Sequence, residues 1–261
     1  MKTSMEATGQ LISSIGEDNF ANCLSNALRE VAPFDFTVVF GYLGSAQPLD
    51  LYDDFPRGKK KIFVEDYQEG PYLLDPYYLA STKPVESGLY RLRDLAPDRF
   101  YQSEYFRNYY VQTGLTEEIA FFVNLPDQAV VIVSLMRTNK VFSAKEVRDL
   151  GQYLPVVLAA CYKNWLDLAS KFGVAGSSKR AGGRKRSMEL AFQKFGKDML
   201  TKREREVVEF TLKGHSAVAV GKILEISPGT VSIHRRNIYS KLRIRSQGEL
   251  FSGFIKTLLE D

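Results

Sequence analysis

Ser232, Ile233 and Arg236 sit in the segment SPGTVSIHRRNIYSKL, residues 227–242, and their types could read a base sequence. An arginine can donate two hydrogen bonds to a guanine edge, a serine can reach a base edge or a phosphate, and an isoleucine can lie on a thymine methyl. Ser227 is a candidate N-cap and Pro228 fits the first helical position, so the segment is expected to be a helix over 228–242. At about 100° per residue, Val231, Ile238 and Leu242 share one stripe, while Ser232, Ile233, Arg236, Ser240 and Arg243 gather opposite. Arg235, adjacent to Arg236 in sequence, flanks the buried stripe instead. The plainer alternative is a solvated amphipathic face, which leaves an isoleucine unexplained among basic residues.

Catalytic sets are missing from the rest of the chain. Its two histidines, His215 and His234, both fall near this helix, and no Gly-x-Ser-x-Gly, Walker A or Gly-x-Gly-x-x-Gly occurs. Cys23 and Cys161 stand apart, read as buried thiols, and give no metal spacing. No metal and no cofactor is expected. The acidic pair Asp53-Asp54 is read as a solvated turn, because the strand–helix alternation of a phospho-receiver is absent.

The 261 residues are 44% apolar and 25% charged, as in globular proteins, and no run approaches the length of a membrane span. MKTSMEATGQ lacks an apolar signal core, so a cytoplasmic protein without membrane contact is expected. The net charge of +4 is unevenly spread: residues 171–261 hold 19 basic and 9 acidic side chains, the first 170 hold 16 and 22. A basic third on an acidic body points to two modules, the basic one facing a polyanion. KFGVAGSSKRAGGRKRS, residues 171–187, reads as a flexible basic linker. It separates a domain over 1–170 from one over 188–261.

Before the linker, helical spacing over 15–31 is followed by a strand at 36–43. A hairpin of strands at 119–125 and 129–136 comes next, then a long helix opened by Ser143 and Glu146 as a capping box. This is the pattern of an α+β sandwich, an antiparallel sheet flanked by helices. After the linker only helices are expected, near 188–195, 201–213, 217–224, 228–242 and 246–259. A short helix, a tight turn and a longer helix with a polar outer face make a helix-turn-helix, placing that outer face in the major groove of double-stranded DNA.

Residues 200–250 resemble the DNA-binding domain of LuxR-type transcription regulators. Leu200, Thr201, Glu204, Val207, Gly214, Ser216, Leu224, Thr230, Val231, Asn237, Lys241 and Leu242 are among the positions that match. The resemblance implies base reading by Ser232, Ile233 and Arg236, with phosphate contacts from Lys222, Arg235, Lys241 and the backbone at Thr230. It also implies a homodimer on a palindromic operator, paired through the last helix, where Leu250, Phe251, Phe254 and Leu258 form a stripe. The sequence departs from the family at Ala217–Ala219, which replace a polar start, at Gly221, usually Ala, and at Arg243, usually Gly.

Residues 59–81 resemble the autoinducer pocket segment of the same regulators. There a Trp-x3-Tyr pair precedes Asp-Pro; here Phe63 and Tyr67 keep the spacing, Asp75-Pro76 follows, and Tyr90 stands at a second Trp position. In the lactone receptors the Asp accepts the ligand's amide N–H and the first Trp donates to the lactone carbonyl. Phe63 has no donor, so a small ligand other than an acyl-homoserine lactone is expected. Tyr67, Tyr72, Tyr77, Tyr78 and Tyr90 either line an aromatic pocket beside Asp75 or form plain core with Asp75 as a helix cap. Two further readings stay open: a ligand-independent regulator whose first domain only dimerises, and an enzyme with a DNA-binding tail.

Overall fold

Strands β1 (Phe36–Leu43), β2 (Leu49–Asp53), β3 (Gly88–Arg91), β4 (Glu117–Asn124) and β5 (Ala129–Arg137) pair antiparallel in the order β2-β1-β5-β4-β3. The computed structural model describes residues 2–44, 46–175, 192 and 194–259. Strands β1, β4 and β5 are apolar along nearly their whole length because both faces of the sheet are covered. On one face Val39, Phe121, Val133 and Leu135 pack against helices α1 (Lys2–Ser13), α2 (Phe20–Val31) and α4 (Ala144–Asn164), through Leu11, Leu24, Leu28 and Val157. On the other, Val38, Phe40, Tyr42, Phe122 and Met136 meet the aromatic segments around α3 (Pro76–Ser81) and residues 100–110.

The expected strands and hairpin are present, and the Ser143–Glu146 capping box opens α4 with both reciprocal bonds made. The helix expected from Ile15 begins only at Phe20, since Gly16 turns the chain at a φ of 88°. Helix α1 and strands β2 and β3 were not expected. Asp53 and Asp54 are not a solvated turn. Asp53 pairs with Lys60, while Asp54 pairs with Arg29 and accepts the Thr37 amide at 2.7 Å, which ties α2 to the sheet edge.

Residues 171–175 of the expected linker close helix α5 (Leu168–Ala175); the rest of that linker lies outside the described residues, as does most of the helix expected at 188–195. Beyond it, α6 (Lys202–Leu212), α7 (Ala217–Leu224), α8 (Pro228–Leu242) and α9 (Gln247–Leu259) match the expected positions. Thr201, Ser216 and Ser227 cap α6, α7 and α8 by accepting the amides of Glu204, Ala219 and Thr230. Val207, Val208, Leu212, Val220, Val231, Ile238, Leu250 and Phe254 form the helical core. Phe192 stacks on Phe254 with ring centroids 4.3 Å apart. Leu250, Phe251 and Phe254 are therefore spent on the domain's own core, and the Leu258 side chain is outside the described residues.

Two departures from the family pattern have physical reasons in the turns. A Cβ at Gly221 would lie 2.7 Å from the Ile226 carbonyl oxygen, so glycine permits a close approach between α7 and the turn into α8. Arg243 ends α8 in the left-handed region, with φ of 56° and ψ of 38°, where an L side chain is strained. Arg243→Gly is expected to stabilise the chain by about 0.5–1 kcal/mol, since relief of that strain exceeds the added freedom of the unfolded glycine. Denaturant unfolding of the two proteins checks this; an unchanged or lower midpoint would show that the cap is unstrained.

Candidate functional site

Helix α8 presents Ser232, Ile233, Arg236 and Asn237 to solvent, while Val231 and Ile238 are buried on its other side. Ile233 is 50% exposed, which costs apolar hydration in the free protein unless a partner covers it. Thr230 shares a hydrogen bond with Ser227 at 2.8 Å at the start of the helix, and Lys222 is exposed on α7. Ile223 and Val218 of α7 are exposed too.

Two expected phosphate contacts are engaged inside the protein instead. Arg235 is half-buried and donates to Thr211 Oγ1 at 3.2 Å and to the His215 carbonyl at 3.1 Å. Lys241 donates to both oxygens of Glu204, at 2.9 and 2.7 Å, beneath the α6 capping box. Glu204 is held below the usual carboxylate range: burial opposes this, but Lys241 and the Thr201 hydrogen bonds outweigh it. These cations brace α8 against α6 and the turn before α7.

Residues 97–104 of the first domain touch this module. Asp98 accepts the Ser216 amide at 2.9 Å, and Arg99 donates its amide to the Gly214 carbonyl at 3.0 Å. Gly214 has a φ of 91°, and a Cβ there would sit 2.9 Å from the Phe100 Cα, so the contact needs glycine twice over. Phe100 is fully buried and packs edge-on against Tyr110, with centroids 6.0 Å apart.

Tyr110 is also part of the wall of a cavity of about 40 Å³ inside the first domain. Asp75 stands on that wall and does both things the sequence allowed: it caps α3, accepting the Tyr77 amide at 2.9 Å, and it accepts the Tyr67 hydroxyl at 2.6 Å. Tyr67 stacks on Phe40 and shares a 3.0 Å hydrogen bond with Tyr42. Phe63 lies flat on Phe55, centroids 4.5 Å apart, and lines the cavity with a ring that offers no N–H. Tyr72 and Tyr90 are elsewhere: Tyr72 packs edge-on against Tyr78 behind the wall, and Tyr90 donates to the Glu86 carbonyl near the surface.

Glu118 is the wall residue that sequence reasoning missed. Pairing of β4 with β5 sets Glu118 across from Met136 and Ala120 across from Ser134, and pairing of β1 with β5 sets Val38 across from Ser134. All of them face the cavity side of the sheet. The Glu118 carboxylate accepts the Tyr110 hydroxyl, while Glu117 next to it points to the opposite face and pairs with Arg91.

The family described as "Bacterial regulatory proteins, luxR family" matches residues 198–252. A protein of Aeromonas salmonicida named as an HTH-type transcriptional regulator is 30% identical over 187 residues, covering 71% of this chain and 95% of that protein. The chain belongs to the luxR family of bacterial regulatory proteins. The first domain of this luxR-family chain is similar to the solved VqsR LBD domain of Pseudomonas aeruginosa, at 25% identity and a TM-score of 0.55 over 61% of this chain and 94% of that one. Escherichia coli SdiA, at 15% identity and a TM-score of 0.45, spans 95% of this chain. The helix-turn-helix and the α+β first domain of this family member are thus those the sequence resemblance implied.

Both cavity carboxyls of the luxR-family chain titrate high. Burial pushes Asp75 up to about 6 against hydrogen bonds from Tyr67 and Tyr77. Burial and then the Asp75 charge push Glu118 up to about 7 against bonds from Tyr110 and Ser134. The surrounding Tyr42, Tyr67, Tyr77 and Tyr110 are raised well above their ordinary value by burial and stay neutral. A carboxyl whose folded pKa exceeds its unfolded one binds more protons when folded, so its contribution to stability falls as pH rises from about 4.5 to 7. His215, held neutral by partial burial, acts in the opposite sense, so the decisive comparison is between variants. Glu118→Gln is expected to stabilise the protein by about 1–3 kcal/mol at pH 8 and by much less at pH 5. Equal stability differences at both pH values in thermal unfolding would show that Glu118 ionises normally.

Proposed function

We propose that the chain is a sequence-specific DNA-binding regulator whose first domain senses a small molecule other than an acyl-homoserine lactone. The observation that carries the DNA half is the exposed Ile233 between Ser232 and Arg236 on the outer face of α8. The groove supplies what that face lacks in water, with guanine acceptors for Arg236 and a thymine methyl for Ile233. Of the cations expected on phosphates, Lys222 remains free of any ion pair among the described residues, and Arg235 and Lys241 position the reading helix.

The ligand half rests on the cavity beside Asp75 and on Phe63, whose ring cannot donate to a lactone carbonyl. A cavity lined by buried carboxyls favours this over a first domain that only dimerises. A connection between the two halves runs from Tyr110 on the cavity wall to Phe100, and from Phe100 to Gly214 at the start of the helix-turn-helix. The working units are residues 1–170 and 188–261, acting as a homodimer on a palindromic operator in the cytoplasm. No helix among the described residues is long and apolar enough to cross a membrane. This is a regulator rather than an enzyme, and it needs no cofactor.

On a duplex selected from a randomised pool, Arg236→Ala should cost about 1–3 kcal/mol and relax preference at one base pair, whereas Lys222→Ala should weaken selected and random DNA alike. Fluorescence anisotropy measures both; equal losses on the two DNAs for Arg236→Ala would remove it as a reader. Acyl-homoserine lactones should leave the melting temperature unchanged, since a ligand of the folded state raises it. A concentration-dependent rise with a lactone would contradict the ligand assignment.

A further inference from the structure

Asp75 and Glu118 are both more than nine-tenths buried, both line the same cavity, and neither forms an ion pair with any described Lys, Arg or His. The lining holds no basic side chain; Lys59 donates to the carbonyl of the lining residue Thr113 at 2.6 Å and lies over the Phe63 ring. Buried carboxylates ordinarily carry a cation or a full set of donors. Asp75 accepts one hydroxyl and one amide, and Glu118 accepts from Tyr110 and Ser134, which uses only part of the acceptor capacity of two carboxylates that both line the cavity.

We infer that the cavity selects a small organic cation, of the primary-amine class, whose N–H groups donate to Asp75 and Glu118 together. This rests on the reading of the first domain as a sensor. A neutral amide could fill the same lone pairs, but once the pair ionises it would leave that charge uncancelled, whereas an ammonium cancels it. An anion would be repelled by the ionised pair. A hard metal ion would want about six oxygen ligands, and no cluster of three or more acidic, His or Cys side chains exists among the described residues. Size agrees: about 40 Å³ admits a few heavy atoms and no acyl chain. Phe63, Tyr67, Tyr77 and Tyr110 also line the cavity, and aromatic rings attract a desolvated ammonium.

The test uses the full chain at pH 8 with methylammonium and 2-aminoethanol as probes, and acetamide, ethylene glycol and potassium chloride as controls. The two amines should raise the melting temperature in a saturable way, and the three controls should not. Glu118→Gln and, separately, Asp75→Asn should each weaken amine binding about tenfold or more, as loss of a charge-assisted bond requires. Amine binding unchanged in both variants, or acetamide binding as well as methylammonium, overturns the cation assignment and leaves the sensor reading standing. A rise with potassium chloride alone also overturns it, in favour of an inorganic ion, and no shift with either amine overturns it outright. Carboxylate-dependent amine binding that leaves the affinity for the selected duplex unchanged would uphold the cation site and remove the sensor reading instead.

Discussion

Two carboxyls buried without a counter-charge set the terms for the first domain. Asp75 and Glu118 come from different parts of the chain, a helix cap and the second residue of β4, and the antiparallel register brings them to one wall. Keeping them there requires hydroxyl donors, and five tyrosines line the cavity with them; Tyr67, Tyr77 and Tyr110 donate to a carboxyl or to the backbone beside it. A domain of this size could cover a five-stranded sheet more cheaply with aliphatic residues, because a buried carboxyl lowers stability as it ionises. The aromatic, acidic lining is therefore better explained by what it binds than by what it stabilises.

The DNA-binding module shows the opposite economy, with every buried charge matched. Glu204 satisfies the start of α6 and holds Lys241 on α8; Arg235 satisfies the carbonyl of His215 and the hydroxyl of Thr211. These bonds tie α8 to α6 and the turn before α7, and Ser232, Ile233 and Arg236 lie on its exposed outer face. Gly221 and Gly214 then allow the close approaches, one within the helix-turn-helix and one to Phe100 of the first domain. Contact through residues 97–104 joins the cavity wall at Tyr110 to the start of α7 through Phe100, Asp98 and Ser216.

Much of this was legible in the sequence. Strand β1, the β4–β5 hairpin, the capped α4 and helices α6 to α9 followed from period and caps. The exposed face of α8 followed from placing Arg235 and Arg236 at different angles. Asp75, Phe63 and Tyr67 were found through the family-like spacing, and Tyr72 and Tyr90 were misplaced because spacing does not say which way an aromatic ring turns. Strands β2 and β3 are short edge strands that alternate weakly and are only half-buried, so they carry little pattern. Glu118 was hidden in the pair Glu117-Glu118. Alternation along β4 assigns Glu118, Ala120 and Phe122 to one face, but which face holds the cavity depends on pairing with distant strands. Arg235 and Lys241 read as phosphate contacts because intramolecular partners twenty or more residues away are invisible to helical spacing.

The central claim is that Asp75 and Glu118 hold protons in the free protein and become a charged pair when an amine binds. Carbon-13 NMR of the side-chain carboxyls, titrated with and without methylammonium, reads this directly. In the free protein two resonances should titrate late, near pH 6 for Asp75 and near pH 7 for Glu118, and both midpoints should move down when the amine is present. Carboxyls that all titrate in the ordinary acidic range, or midpoints that do not respond to the amine, would contradict the account.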